Sequence, residues 1–419
     1  MEVDVAVSVE DIADLPRRLR RFAGEFGDCF VRKPTQGHFH SYMRGQTSRL
    51  ERKSVEPMAL ELGVPPRTLQ EFLSLSRWDH LRMRERLRQR VVSRHPGEAP
   101  IALIDETSFA KKGDKTACVQ RQYCGSTGKK DNCVVTVNLG YAVPDFHALI
   151  DCDLYLPEET WAADPERRKE AGIPEELKFR TKGRIALDLL RHAQENGAGF
   201  KYLTADELYG SSSEFRAGVA ALGITYMVEI SRTVYGWTKR PGFELPALSS
   251  RGGRPRKKPR LAEGQREQRR VDELWQRGGP SWAGYHVKDT EKGPVVWEAR
   301  ATRFWPSHKG GCLAECWLVV ARNVQTQELK YFLSNAPAET PIETLLHVAF
   351  TRAEVEQLFE AAKGEIGLDH FEVRHYLPLV RHLTVSMASL LFLSEETARL
   401  RKKQVVEHLP GESRGRGAA

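Results

Sequence analysis

Four short apolar runs constrain the fold of this 419-residue chain more than any other feature. They are residues 101–104 (IALI), 134–142 (VVTVNLGYA), 200–205 (FKYLTA) and 224–230 (ITYMVEI). Such runs are too short for buried helices and read as strands, the tightest of them covered on both faces. A further strand is expected at 117–123, separated from the next by Gly and Asn turns. Residues 185–193 form an amphipathic helix stopped by Asn196 and Gly197, and it leads into the run at 200–205. Ser211 and Glu214 have capping-box spacing, which predicts a second helix running to Gly223. Strands in succession, then strands alternating with helices, predict an α/β fold built on a mixed sheet with flanking helices.

Two of the strands lead into carboxylates. The run at 101–104 ends in Asp105 and that at 200–205 in Asp206, where open α/β sheets place their ligands. A third acidic residue lies in 351–374. Read as a helix, this stretch puts Val355, Leu358, Phe359 and Ala362 on a core-facing stripe. At roughly 100° per residue, Arg352, Glu356 and Lys363 fall within about 40° of one another beside it. A glutamate there is ordinarily solvated, but the flanking Arg and Lys suit an anion or a metal-bound phosphate. Three carboxylates from separate elements can hold two hard divalent cations such as Mg2+ roughly 3.5–4 Å apart. One ion then generates the nucleophile and the other stabilises the leaving oxygen, the chemistry of phosphoryl transfer at a nucleic-acid backbone.

The charge distribution fits such a partner. Lys plus Arg number 64 against 56 acidic residues, a net charge of +8. Residues 1–95 look helical, with Leu15, Leu19, Phe22, Ala23 and Phe26 at helical spacing among Arg17, Arg18, Arg20 and Arg21. Two short helices around Gly63 resemble a helix-turn-helix. Residues 77–94 carry seven arginines against Asp79 and Glu85. That suits phosphate contacts, a solvated face being the alternative. Residues 251–260 (RGGRPRKKPR) hold six basic residues and no acid. They predict an extended or disordered segment suited to a nucleic-acid backbone, with a plain linker as the alternative. Beyond it, Trp275, Trp282, Trp297, Trp305 and Trp317 punctuate β-like runs of a small insertion. Most are expected to pack internally, with one or two free to stack on an unpaired base.

Residues 377–393 read as a core helix, too polar at Arg381 and His382 for a membrane. No apolar run approaches the roughly 18 residues of a span, and the first residues lack signal-peptide order. An intracellular protein is therefore expected. Seven cysteines, odd and sparse, point to buried thiols rather than disulfides or a zinc site at Cys312 and Cys316. Gly125, Gly128 and Lys129 stand too close together for a phosphate-binding loop, so no ATP site is expected. The tail after Glu407 reads as disordered.

The motifs around these carboxylates resemble those of bacterial insertion-sequence transposases of the D-D-E superfamily. They are LIDET at 103–107 with KKG at 111–113, RQYCGSTGKKDNC at 121–133, ADELYG at 205–210, FLSNAP at 332–337, and the helix continuing through GLDHFEVR. The resemblance covers roughly residues 100–393. It implies a ribonuclease H-like catalytic core with Asp105, Asp206 and Glu356 as catalytic, metal-binding triad. It also implies two Mg2+ ions, replaceable by Mn2+, with Arg352 and Lys363 as the Arg and Lys of a Tyr-Arg-Glu-Lys signature. The signature Tyr is replaced by Ala349, and a Trp common in relatives by Ala353; each removes a DNA contact and leaves the metal ligands whole. Lys111, Lys129, Arg254, Arg256, Lys257, Lys258 and Arg260 are further expected DNA contacts.

The expected layout is a helical DNA-binding region at 1–95 and catalytic core at 96–232 and 341–395. A β-rich insertion with the basic segment occupies 233–340, and a tail 396–419. The expected activity is cutting of transposon ends and joining of their 3′-ends to target DNA, by a homodimer on terminal inverted repeats and target DNA. The expected location is the bacterial cytoplasm, at the nucleoid. A domesticated DNA-binding protein and a nuclease without strand transfer are the alternatives.

Overall fold

The computed structural model describes residues 8–244, 260–275, 278–290 and 293–408. The chain opens with helices α1 (Val9–Gly24), α2 (Lys33–Gln46), α3 (Val55–Glu61), α4 (Pro66–Ser74) and α5 (His80–Arg94). Ser8 caps α1 by accepting from the Asp11 N–H at 3.1 Å. Helices α3 and α4 meet at Gly63, whose φ of 66° is left-handed backbone that favours glycine. Leu69, Phe72 and Leu73 of α4 are buried, and Phe72 stacks on Trp78 at 5.2 Å.

The arginines of α5 do not form a free phosphate-binding face. Arg82 and Arg86 pair with Asp28, Arg84 and Arg88 with Asp151, and Arg90 and Arg94 with Glu25. Arg90 also pairs with Glu395. Their counter-charges come from distant elements, which is why a local count of acids missed them.

The core sheet follows. Its elements are β1 (Ile101–Ala110), β2 (Gln120–Cys124), β3 (Lys129–Val143) and β4 (Phe146–Leu154), then α6 (Pro165–Glu170) and α7 (Lys182–Glu195). Next come β5 (Tyr202–Ala205), α8 (Glu207–Gly210), α9 (Ser213–Ala221) and β6 (Thr225–Glu229). The order β4-β3-β1-β5-β6, with β3 antiparallel to β1 and β4 and with β5 parallel to β1 and β6, is the ribonuclease H-like arrangement. Strand β1 continues past Asp105 to Ala110, because β3 pairs it along that whole length. Strand β4 has no counterpart among the sequence expectations. Its register against β3 shifts between Leu139 and Gly140, a bulge beside Asp151. The cap of α9 is Ser212, accepting from the Phe215 N–H at 3.2 Å; Ser211 instead accepts from the Ser231 N–H.

The insertion comprises β7 (Tyr235–Trp237), β8 (Phe243–Glu244), β9 (Arg260–Leu261), β10 (Arg269–Arg270), β11 (Ala283–Thr290), β12 (Gly293–His308), β13 (Gly311–Cys312), β14 (Cys316–Asn323) and β15 (Leu329–Ser334). Strand β15 pairs antiparallel with β6, Phe332 opposite Glu229, so the core sheet runs on through β15, β14, β12 and β7 to β10. Trp297 is buried and packs on Phe350 at 4.6 Å. Two guanidinium groups lie over the Trp282 ring, Arg300 at 4.4 Å and Arg322 at 4.3 Å from its centroid. Arg254, Arg256, Lys257 and Lys258 lie outside the described residues, as does the chain beyond His408.

Among the described residues three more helices follow: α10 (Ile342–Phe350), α11 (Ala353–Gly364) and α12 (Tyr376–His408). Val355, Leu358, Phe359 and Ala362 are the buried stripe of α11. The helix ends at Gly364, short of the expected 374, and Gly367 at φ 68° turns the chain. By length and apolarity α12 could cross a membrane, yet 83% of its apolar window is buried in the fold. Its polar groups have internal partners. His382 lies 2.9 Å from the Tyr42 hydroxyl and 3.1 Å from the Leu368 carbonyl, and Arg381 donates to the Leu73 and Trp78 carbonyls at 3.0 Å. The helix extends beyond 393 through Glu395 and Glu396, which bind arginines of α5 and α1.

Candidate active site

The parallel pairing of β1 with β5 ends at Ile104 opposite Ala205. The next residue on each strand is an aspartate, so Asp105 and Asp206 emerge side by side. Asp105 sits within β1, not at its tip, and is nearly buried; its Oδ1 accepts from the Glu106 N–H at 2.7 Å. Asp206 leaves the sheet and caps α8, accepting from the Leu208 N–H at 3.0 Å and the Tyr209 N–H at 3.4 Å. The turn depends on Gly210, since a Cβ there would stand 1.8 Å from the Glu229 carbonyl oxygen. Burial, with Asp206 beside it, pushes the Asp105 carboxyl up to about 7 against the pull of Arg352. Burial also raises Asp206, opposed by the Tyr209 N–H and Arg352.

Helix α11 brings the third carboxylate only to the border of this pair. Arg352, just ahead of the helix, reaches Asp105 Oδ2 at 3.1 Å through one guanidinium nitrogen and Glu356 Oε1 at 3.1 Å through the other. The Glu356 side chain is 61% exposed, that of Asp105 12%. Among the described residues, no three His, Cys, Asp or Glu side chains converge closely enough to hold an ion. Asp105 and Asp206 do offer a hard-oxygen pair whose burial makes two negative charges costly without a cation.

The expected cations are placed differently from one another. Lys363 lies 5.9 Å above the Phe109 ring, and burial lowers its pKa against the pull of Asp369. Lys111 donates to the Asp369 and Phe371 carbonyls at 3.2 and 2.8 Å, and burial lowers it to about 8. Lys129 is exposed where the β2–β3 turn ends, and residues 125–128 are that hairpin turn. Arg260 is exposed on β9. Ala349 is buried in α10, its carbonyl accepting from the Thr204 hydroxyl at 3.5 Å.

Three residues of the site were missed in the sequence. Glu106 pairs with Lys182 of α7 at 2.7 Å and adds its charge to those around both aspartates. Tyr209 is buried beside the same acids, its hydroxyl without a hydrogen-bond partner among the described residues. The pairing of Glu106 with Lys182 is invisible at 76 residues' separation; Tyr209, inside a matched motif, was open to notice as a buried phenol next to an aspartate.

The sheet order defines a ribonuclease H-like core, with Asp105 and Asp206 side by side where its two central parallel strands end their pairing. A family model described as DDE superfamily endonuclease matches residues 25–294, and the chain belongs to that family. The matched span contains Asp105 and Asp206 and stops short of Glu356. The chain is also 34% identical, over 193 residues, to a probable transposase for insertion sequence element IS701 from Microchaete diplosiphon. That match covers 46% of this chain and 48% of the relative, so the chain spans about half the length of the curated relative it matches. The cryo-EM structure of a piggyBac transposase synaptic complex with hairpin DNA aligns over 99% of this chain and 85% of that one. Its TM-score of 0.36 and 10% identity are too low to carry an argument.

Proposed function

We propose that this chain is a DNA transposase that cuts transposon ends and joins their 3′-ends to target DNA by divalent-metal-dependent phosphoryl transfer. The observation that carries this reading is the side-by-side exit of Asp105 and Asp206 from adjacent parallel strands, with α11 presenting Arg352 and Glu356 at their edge. Asp105 and Asp206 would hold the cation, with Glu356 as third ligand; Mg2+ as two ions, replaceable by Mn2+, suits this all-oxygen set. A divalent ion bound there would supply a Lewis acid for the scissile phosphate and lower the proton affinity of the attacking water. The Asp206 carboxylate is aimed by the N–H groups of α8, which fixes its free oxygen relative to Asp105.

In this reading Lys363, Lys129 and Arg260, with Arg254, Arg256, Lys257 and Lys258, meet DNA phosphates. Lys111 serves by tying 369–371 to the end of β1. The helices at 1–95 and the insertion at 233–340 flank a catalytic core at 96–232 and 341–395, and two copies pair the inverted repeats in the bacterial cytoplasm.

The test is cleavage of the element's own terminal repeats with Mg2+ or Mn2+. Asp105→Ala, Asp206→Ala and Glu356→Ala should each abolish cutting while DNA binding survives. Full cutting by any of the three would refute the assignment. A strand-joining assay separates a transposase from a nuclease, which would cut and leave the 3′-ends free.

A further inference from the structure

Arg352 occupies an unusual position. It is the residue immediately before α11, with no side-chain capping bond, so its positive charge sits at the positive end of the helix dipole. What holds it there is the pair of carboxylates: Asp105 Oδ2 and Glu356 Oε1, each 3.1 Å from a different guanidinium nitrogen. The fork therefore joins the first and third acids of the proposed triad. Those two oxygens are ones that a Mg2+ ion, with ligands at about 2.0–2.1 Å in near-octahedral array, would also draw on, and two cations held against the same oxygens repel each other.

Resting on the metal-site reading above, we infer that Arg352 competes with the divalent ion for Asp105 and Glu356, and that metal loading releases its guanidinium to a DNA phosphate. Once the two carboxylates turn to an ion, the guanidinium loses both of these partners, and the side chain, 20% exposed, has a path outward. Arg352 is then a positioning residue that couples two events. It holds Asp105 and Glu356 through its own guanidinium before loading and supplies a phosphate contact afterwards.

The test measures Mn2+ binding to the full chain by calorimetry and electron paramagnetic resonance, without DNA. Arg352→Gln should bind Mn2+ about tenfold more tightly than wild type, and Arg352→Lys, charged but lacking the fork, should fall between. A purely structural role predicts the opposite sign, because loosening the site weakens binding. With Ca2+ present, wild type should gain affinity for duplex DNA; Arg352→Gln should gain less, its salt slope lower by about 1. Equal or weaker Mn2+ binding by both Arg352 variants would overturn the inference, provided Asp105→Asn and Asp206→Asn still lower wild-type binding. If those two substitutions leave Mn2+ binding unchanged, the metal-site reading fails and the inference with it.

Discussion

Arg84 donates to Asp151 Oδ1 at 2.6 Å, and the Asp151 side chain has no exposed surface. Arg88, one turn further along α5, takes the other carboxylate oxygen, and Arg84 also reaches the Cys152 carbonyl at 2.7 Å. The pairing pins the N-terminal helices to β4, on the far edge of the core order from β6. Removing the acid leaves two nearly buried guanidinium groups uncompensated.

Asp151→Ala should therefore destabilise the chain by about 3–5 kcal/mol in urea unfolding. Replacing exposed Asp28, which pairs with Arg82 and Arg86 on the same helix, should cost under about 1 kcal/mol. Equal costs at the two sites would show that the buried clamp carries no special weight.

Asp105 gives stability a pH dependence of opposite sign to the usual carboxylate. Its folded pKa is raised from 3.8 to about 7, so between those values the folded chain binds more protons than the unfolded one. The resulting penalty is absent below about pH 4 and fully present above about pH 7. With divalent ions chelated, Asp105→Asn should stabilise the chain at pH 8 by on the order of 2 kcal/mol. The gain should vanish at pH 4. A gain independent of pH would argue for packing instead of charge.

Gly210→Ala tests the placement of Asp206. The added Cβ would meet the backbone of β6, which cannot yield as a side chain would. The expected cost is about 1–3 kcal/mol of stability, together with loss of Mg2+-dependent cutting greater than the lost folding explains. Cutting that falls only in proportion to the folded fraction would separate the turn from the site.

In the insertion, Trp282→Ala removes the ring on which both Arg300 and Arg322 rest, leaving Arg322 its pairing with Glu298. Burial and Arg322 already lower the Arg300 pKa. A loss of about 1–2 kcal/mol is expected, partly relieved by raised salt. Retention of full stability in Trp282→Ala would instead favour a ring kept for contact with a partner.

Sequence patterning made the core strands, the stripe of α11 and the two aspartates legible, since each is a local matter of spacing. Strand β4 was not legible because Asp151 and Asp153 interrupt its apolar alternation, and only α5 and Arg180 explain acids there. Nor could the length of β1 be read, since DETSF is held as strand by β3 rather than by its own residues. At the site, the salt link of Arg352 to Asp105 joins positions 247 residues apart. A helical wheel can place Arg352 beside Glu356 but says nothing of which strand the helix lies against.

The long last helix has a consequence for synthesis. Phe392 packs on Phe22, Ser386 and Ser389 bond Gln46, and Arg381 bonds the carbonyls of Leu73 and Trp78. The apolar faces of the first helices are thus closed by residues made more than 300 positions later. As the chain leaves the ribosome, its N-terminal helices lack this native cover until the sheet, the insertion and then α12 have been made, and exposed apolar surface of that kind is what chaperones bind.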